Sequence, residues 1–293
     1  CIVIISSRKK CLYKSLESLW EYYNHKYNYP VFIYYFDNVY DSWFFRRRVR
    51  KNISENIFFR KIDYKTPSFL KEEELFYNRK DLWYARNSFP KKRKGYLHMC
   101  NFTVNMYGYP NTDLENYEFV MTHDDEAGYV KNMENDPFSI IANSNLLIGA
   151  YSVGPRLKDG KPHQGHLDTR YGLWKFTKQF IVKNKITPKS IQLRNLMNDA
   201  DDENNFHYID WCDSYIINTK VFKMDLWKKW INAVNSNGGI YKYRWGDNEI
   251  YSIFCHMIQE NIICSNTVKD GFHDQGLFRH LQDYAPGVKD SKK

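Results

Sequence analysis

The chain has no stretch approaching the ~18–20 apolar residues of a membrane-spanning helix, so no transmembrane segment is expected within it. It lacks GxGxxG and lacks GxxxxGK followed by Ser or Thr, which removes support for Rossmann dinucleotide binding and for Walker NTPase chemistry. Its six cysteines (Cys1, Cys11, Cys100, Cys212, Cys255 and Cys264) show no CxxC spacing, which argues against a structural zinc. No internal repeat and no proline- or serine-rich linker interrupts the 293 residues, so one α/β domain is the simplest expectation. Such a domain buries roughly three quarters of its unfolded surface. Glycine is scarce, 14 residues against 24 tyrosines, and aromatics reach 17%. Richness in Lys, Asn, Tyr and Ile also follows from AT-rich coding, so it carries limited functional weight.

The formal net charge is +9, which favours anionic partners such as nucleotide diphosphates, nucleic acid or lipid head groups. Much of it lies in Arg46-Arg47-Arg48, Lys51 and Lys91-Lys92-Arg93-Lys94, read as solvated loops. No RNP-like, KH or zinc-finger pattern accompanies it, so nucleic acid is not an expected partner. The chain begins at Cys1 rather than Met, so an N-terminal anchor or signal can precede it, although the residues present predict no membrane contact. Two sequons, Asn52-Ile-Ser54 and Asn101-Phe-Thr103, permit a secretory address.

Ile2–Ile5 reads as a buried strand ending at Ser6-Ser7-Arg8, a place where backbone contacts can hold a base or ribose. Leu12, Leu16, Leu19, Trp20 and Tyr23 then recur at helical spacing up to Pro30. Val31–Phe36 and Ile57–Ile62 read as second and third strands, giving a strand–helix–strand–strand order. That order predicts an open α/β sheet with function on the loops at the strands' carboxyl ends. Thr66–Arg93 reads as helical excursions, Phe119–Met121 and Leu146–Val153 as strands, Pro155–Arg170 as a loop and Thr187–Asn205 as mostly polar. Phe222–Val234 is an amphipathic helix stopped by Gly238-Gly239, and Ile250–Ile258 is a last helix.

Four constellations could carry chemistry. Arg244-Trp245-Gly246-Asp247 has the composition of a sugar-handling loop, with an aromatic face for a pyranose and a carboxylate for hydroxyls. His123-Asp124-Asp125-Glu126 follows a buried strand, and its adjacent carboxylates repel unless a cation such as Mg²⁺ or Mn²⁺ on a diphosphate lies between them. A solvated acidic turn is the plain alternative. In His207–Asp213, the acids Asp210 and Asp213 stand among aromatics, where a carboxylate serves as nucleophile or oxocarbenium stabiliser, or else as a structural ion-pair partner. His273, in Asp270-Gly-Phe-His273, lies in a loop that can fold back over a site and is a reasonable Mn²⁺ ligand.

With these positions marked, the chain resembles the fungal α-1,2-mannosyltransferases of glycosyltransferase family 15. Asn24-His-Lys-Tyr-Asn-Tyr-Pro30 is similar to the family's NHKFNYPW-type segment, and Gly95–Phe102 to its SYRHMCRF segment. Tyr117–Phe138 resembles the block YYWRVEPDV…DYDPF, and Tyr243–Asp247 the loop ERWGDAPVHS. The resemblance implies a single GT-A domain over 1–293, with a mixed, mostly parallel sheet flanked by helices. Residues 1–130 form its nucleotide-sugar half and 131–293 its acceptor and catalytic half. It also implies a metal-dependent retaining transferase with Mn²⁺ or Mg²⁺, GDP-mannose as donor and a glycan acceptor (oligosaccharide, glycoprotein or glycolipid). The Golgi or secretory lumen follows by resemblance, the cytoplasm if the source is viral or bacterial.

Carried over by position, Asp124 falls on the aspartate of the Glu-Pro-Asp metal motif and Thr122 on its glutamate, so that Asp124 and Asp125 take the metal with His273. Asp213 falls on the proposed nucleophilic glutamate, and its shorter side chain favours a stabilising role. Arg8 falls on the nucleotide-side arginine, while Leu97 and Asn101 replace arginines. Tyr96 and His98 line the donor pocket in this reading, and Arg244, Trp245, Asp247 and Asp210 hold sugar. The departures at Thr122, Leu97 and Asn101 keep open a catalytically silent sugar- or nucleotide-binding relative, or a transferase with another donor.

Overall fold

The computed structural model of the chain describes residues 1–36, 38–82, 94–109, 112–129, 131–144, 146–154, 157–162, 164–260, 263–264 and 271–273. The strands are β1 (Ile2–Ile5), β2 (Val31–Tyr35), β3 (Ile57–Lys61), β4 (Phe119–Thr122), β5 (Ala127–Tyr129), β6 (Ile148–Gly154), β7 (Trp211–Asn218), β8 (Ile263–Cys264) and β9 (Gly271–His273), besides a hairpin of two-residue strands after β6. The main helices are α1 (Lys9–Leu19), α2 (Trp43–Asn52), α3 (Lys94–Asn105), α4 (Pro137–Asn143), α5 (Leu173–Lys183), α6 (Ile191–Met197), α7 (Asp225–Asn237) and α8 (Asp247–Ile258). They fall into two interleaved compact units. Strand pairing is mixed and mostly parallel, so the α/β class expected from the sequence holds. Among the described residues no helix is long and apolar enough to cross a membrane.

The first unit contains Cys1–Asp63, Phe119–Asn145 and β9. β1 lies between β2 and β4, and β2 pairs onward with β3, all parallel. β1 and β2 are apolar at nearly every position because parallel strands are covered on both faces. The expected strand–strand step from β2 to β3 contains α2, missed because three consecutive arginines mask the inward Phe45 and Val49. The segment Asn24–Pro30 closes the turn after α1. The Asn24 amide donates to the Tyr29 carbonyl and accepts from the Tyr29 N–H, both at 2.9 Å, and Asn28 sits left-handed at φ 52°. Asp136 is a second lock. It accepts the hydroxyls of Tyr23 and Tyr29 at 2.8 Å each while capping α4, with Pro137 at the first helical position.

The second unit contains Tyr64–Glu118 and Leu146–Cys264. β6 and β7 pair antiparallel, Ile148 with Ile217 and Gly154 with Trp211, and β8 runs parallel to β6. Within Thr66–Arg93 the described residues form only short 3-10 turns, and 83–93 lie outside the described residues. The polar stretch Thr187–Asn205 supplies α6, whose inward residues are Leu193 and Leu196. α7 begins and ends later than its periodicity predicts, and Gly238 ends it at φ 74°, a left-handed stop that a side chain rarely tolerates. Its neighbour Gly239 is needed for space: a Cβ there would lie 2.1 Å from the Trp245 ring. Gly239→Ala is therefore expected to cost on the order of 1–3 kcal/mol in urea unfolding. Gly95→Ala, where nothing lies within 4 Å, should leave stability unchanged.

Candidate functional site

In the first unit, β4 delivers an acidic turn. Thr122 still pairs with Val3, and the His123 N–H donates to the Val3 carbonyl at 2.9 Å. The chain then turns, with Ala127 N–H closing onto the Asp124 carbonyl at 3.0 Å. The Ser15 hydroxyl from α1 donates to that same carbonyl at 3.2 Å and lies 3.0 Å from His123 Nε2, which makes His123 a strut of the turn.

The four acids and bases here have different surroundings. Asp125 is buried, 2% exposed. Its Oδ2 accepts from the Ser6 hydroxyl and from Arg8 Nε at 3.3 Å, and its Oδ1 from Arg8 Nη2. The buried Tyr40 hydroxyl lies 2.6 Å from Ser6 Oγ and donates to it, since the Ser6 proton is committed to the carboxylate. Arg8 Nη1 also donates to Glu126. Burial pushes Asp125 above the ordinary aspartate range, and the pull of Arg8 and Ser6 does not cancel it. Burial pulls Arg8 down, but the hydrogen bond and charge of Asp125, with Glu126, outweigh that and raise it.

Asp124, by contrast, is exposed. β9 runs antiparallel to β5 and sets His273 opposite Ala127, so its backbone lies beside the acidic turn. An exposed carboxylate and an imidazole are a donor set that Mn²⁺ accepts. Among the described residues no three metal-ligating side chains group together, so a cation here needs further oxygens from a ligand or water.

The second unit holds the other expected residues. Asp213 lies in β7, and the next residue, Ser214, has φ 47° in the middle of an eight-residue strand. The ladder pairs Ala150 with Tyr215 and Ser152 with Asp213 on either side. A left-handed non-glycine costs on the order of 1–3 kcal/mol, and such residues concentrate where a side chain must be aimed. Asp210 is half-buried and clamped by Gln192, whose amide donates to its Oδ2 at 2.7 Å and accepts its N–H at 2.9 Å. His98 is buried, its Nδ1 lies 3.0 Å from the Tyr241 hydroxyl, and its ring is tilted against that of Tyr64 with centroids 3.7 Å apart. Leu97 is fully buried, so the position that carries arginine in the resembling segment here serves packing.

The loop Arg244–Asp247 is a joint between two helices. Arg244, at φ 59°, ends the short helix Gly239–Tyr243, and Gly246 precedes α8 in extended conformation. Trp245 is 1% exposed, donates its Nε1–H to the Tyr171 carbonyl at 2.9 Å and packs 5.0 Å from Phe176. Its ring belongs to the core and offers no face to a sugar, which corrects the expected stacking role. Arg244 and Asp247 remain half-exposed, the first 4.4 Å over the Tyr96 ring, the second accepting from the Tyr215 hydroxyl at 2.7 Å. Sequence reading missed the ion pair beneath this joint. Arg170, 0% exposed at its side chain, lies 3.5 Å from Glu249 and 3.8 Å over the Trp211 ring. No local signal reveals a pair 79 residues apart, and Glu249 in the sequence is one more acid at a helix start.

Two histidines in this unit are held neutral. Burial, with the Arg170 guanidinium and His166 adding to it, pulls His207 down to about 4. Burial also lowers His256, whose Nε2–H donates to the Asp210 carbonyl at 2.8 Å while Nδ1 lies 2.8 Å from the Ser190 hydroxyl. A histidine depressed on folding binds fewer protons folded than unfolded. Its contribution is intact above the unfolded value near 6.5 and is lost as pH falls toward the folded value. The thermal midpoint is therefore expected to drop between pH 6.5 and about 4, and His207→Gln should flatten that slope in a pH series of melts.

Residues 1–268 match the family model described as glycolipid 2-alpha-mannosyltransferase. An O-glycoside alpha-1,2-mannosyltransferase of Schizosaccharomyces pombe is 24% identical over 251 residues, 83% of this chain and 60% of that protein. A probable mannosyltransferase of Saccharomyces cerevisiae is 28% identical over 163 residues, 54% of this chain and 37% of that protein. The chain thus spans less than two thirds of the length of either relative. Among solved structures, core-mannan synthase A from Aspergillus fumigatus in its Mn/GDP form superposes with a TM-score of 0.67 at 18% identity, covering 87% of this chain and 69% of that one. The mannosyltransferase Ktr4p from S. cerevisiae in complex with GDP gives 0.68 at 17% identity, covering 88% and 66%. The fold is thereby of the GT-A class, and the chain belongs to the glycolipid 2-alpha-mannosyltransferase family.

Proposed function

We propose that the chain is the catalytic part of a metal-dependent, retaining hexosyltransferase that moves mannose from GDP-mannose to a hydroxyl of a glycan acceptor, forming an α-1,2 linkage. The observation that carries this reading is the division of labour in the acidic turn. Asp125 is committed to Arg8 and Ser6, while Asp124, its neighbour in the turn, is exposed. Arg8 also stands at the start of α1, where helix N–H groups favour anions. A diphosphate would meet Arg8 and the α1 N-terminus, and Asp124 with His273 would hold Mn²⁺ or Mg²⁺ against it. A bound cation supplies neutralisation of the departing diphosphate, the largest electrostatic contribution expected in such a transfer. Asp125, in this assignment, orients Arg8.

Asp213 is proposed as the carboxylate that stabilises or attacks the anomeric carbon, and the aiming of β7 at Ser214 supports that role. Internal return and double displacement are both compatible with an aspartate at this position. Tyr96 and His98 would line the donor pocket, Arg244 and Asp247 would contact sugar hydroxyls, and Asp210 would support β7 through its Gln192 clamp. One domain over 1–293, acting in the secretory lumen that two sequons permit, completes the proposal. A silent nucleotide-binding relative is the competing reading, favoured by Thr122 at the motif position that carries glutamate in the resembling family and by the buried Leu97.

GDP with Mn²⁺ at about 100 times Kd should stabilise the protein by about 2.7 kcal/mol, a shift of several degrees in a thermal melt. Asp124→Ala is expected to abolish the Mn²⁺-dependent part of that shift, and Arg8→Ala to weaken the whole of it. Asp213→Ala should keep the shift while lowering transfer from GDP-mannose to an oligosaccharide by at least about 100-fold. Near-normal turnover removes Asp213 from the chemistry. A GDP shift indifferent to Mn²⁺, with no transfer by the wild type, selects the silent relative, and a larger shift with another nucleotide sugar reassigns the donor.

A further inference from the structure

The basic run Arg46-Arg47-Arg48, expected in a solvated loop, lies on α2. At about 100° per residue, Trp43, Arg47, Lys51, Phe44 and Arg48 fall within an arc of roughly 140°. All five are exposed, while Phe45 and Val49 on the opposite side pack inward, Phe45 against Tyr13, Tyr40 and Phe59. Trp43 is 59% exposed and Phe44 79%, and their rings meet edge to face at 5.3 Å, so they form one apolar tip at the helix's start. Arg47 lies 4.8 Å over the Trp43 ring. The helix carries five basic residues (Arg46, Arg47, Arg48, Arg50 and Lys51) and no acidic one.

Two large aromatics held in water have no folding benefit, and a cationic face of this density repels a second copy of itself. Nucleic acid would use the charge but has little use for an apolar tip that bypasses stacking geometry on a helix end. A surface that is anionic outside and apolar a few ångströms below uses both. We propose that α2 is a membrane-surface contact, with Trp43 and Phe44 entering the interface of an anionic phospholipid layer while Arg47, Arg48 and Lys51 meet its phosphates. The helix lies along the surface and does not cross it. Val49 stays in the core and Phe45 against its ring neighbours, so docking requires no unfolding.

Flotation of the full 293-residue chain, made in bacteria so that Asn52 at the end of α2 carries no glycan, tests this. Vesicles of phosphatidylcholine with about 30 mol% phosphatidylserine should carry the protein upward, and pure phosphatidylcholine should not. Salt at about 0.5 M should release most of it. Trp43→Ala with Phe44→Ala, which leaves every charge in place, is expected to weaken binding by at least about tenfold, and Arg47→Glu with Lys51→Glu to abolish it. Both positions are exposed, so unchanged thermal midpoints show that the variants are folded. Absence of wild-type flotation, or flotation unaffected by the aromatic pair, overturns the proposal. Tight binding to a duplex oligonucleotide that survives loss of both aromatics, with no vesicle binding, reassigns the face to nucleic acid.

Discussion

The carboxylate of Asp125, taken out of water and met by Arg8 and Ser6, is the interaction on which the first unit's functional end depends. A buried carboxylate without partners is driven toward its neutral form, and the depth of Asp125 does push it that way. The guanidinium and the Ser6 hydroxyl, with the Tyr40 hydroxyl behind it, offset part of that push, and in doing so tie the end of β1 to the turn after β4. That tie fixes the position of Arg8 and turns Asp124 outward. An acidic turn without it would be a flexible, self-repelling loop. Because Arg8 is about half exposed, the pair acts less as a source of stability than as a positioning device.

The second unit uses its polar residues in the same manner, to aim others. Gln192 and Asp210 form a two-bond clamp, His256 bridges Ser190 to the Asp210 carbonyl, and Glu249 meets the buried Arg170. These contacts surround the start of β7, three residues before the left-handed Ser214. A buried ion pair such as Arg170–Glu249 adds little net stability, but losing one partner would leave a charge without compensation. Such a pair specifies which helix start lies against which strand.

The segments that carried the family resemblance prove to be mostly locks. Asn24–Pro30 is a turn held by a reciprocal amide, Asp136-Pro-Phe138 is a helix cap that also gathers two tyrosine hydroxyls, and Arg244–Asp247 is a joint in which tryptophan fills space over glycine. A residue type that looks chemical, Trp245 in a loop of charged residues, is there for packing. This explains why the family and the strands β1, β2 and β4 were legible from short segments while the role of Trp245 was not. Period and caps are local signals. Whether a tryptophan's face meets solvent or Phe176 is settled by a residue far along the chain.

Sequence alone determined the α/β class, the apolar parallel strands, the presence of α1 and α7, and the placement of acids after β4, because each depends on neighbours within a few positions. The tertiary structure decided which carboxylate is spent and which is exposed, since Asp124 and Asp125 differ only in what lies across from them, Arg8 and Ser6 more than 110 positions earlier. It also decided that Arg46-Arg47-Arg48 lies on a helix, because the inward Phe45 and Val49 gain their meaning only against β3 and α1. Burial is a property of the partner surface, and a sequence shows one side of it.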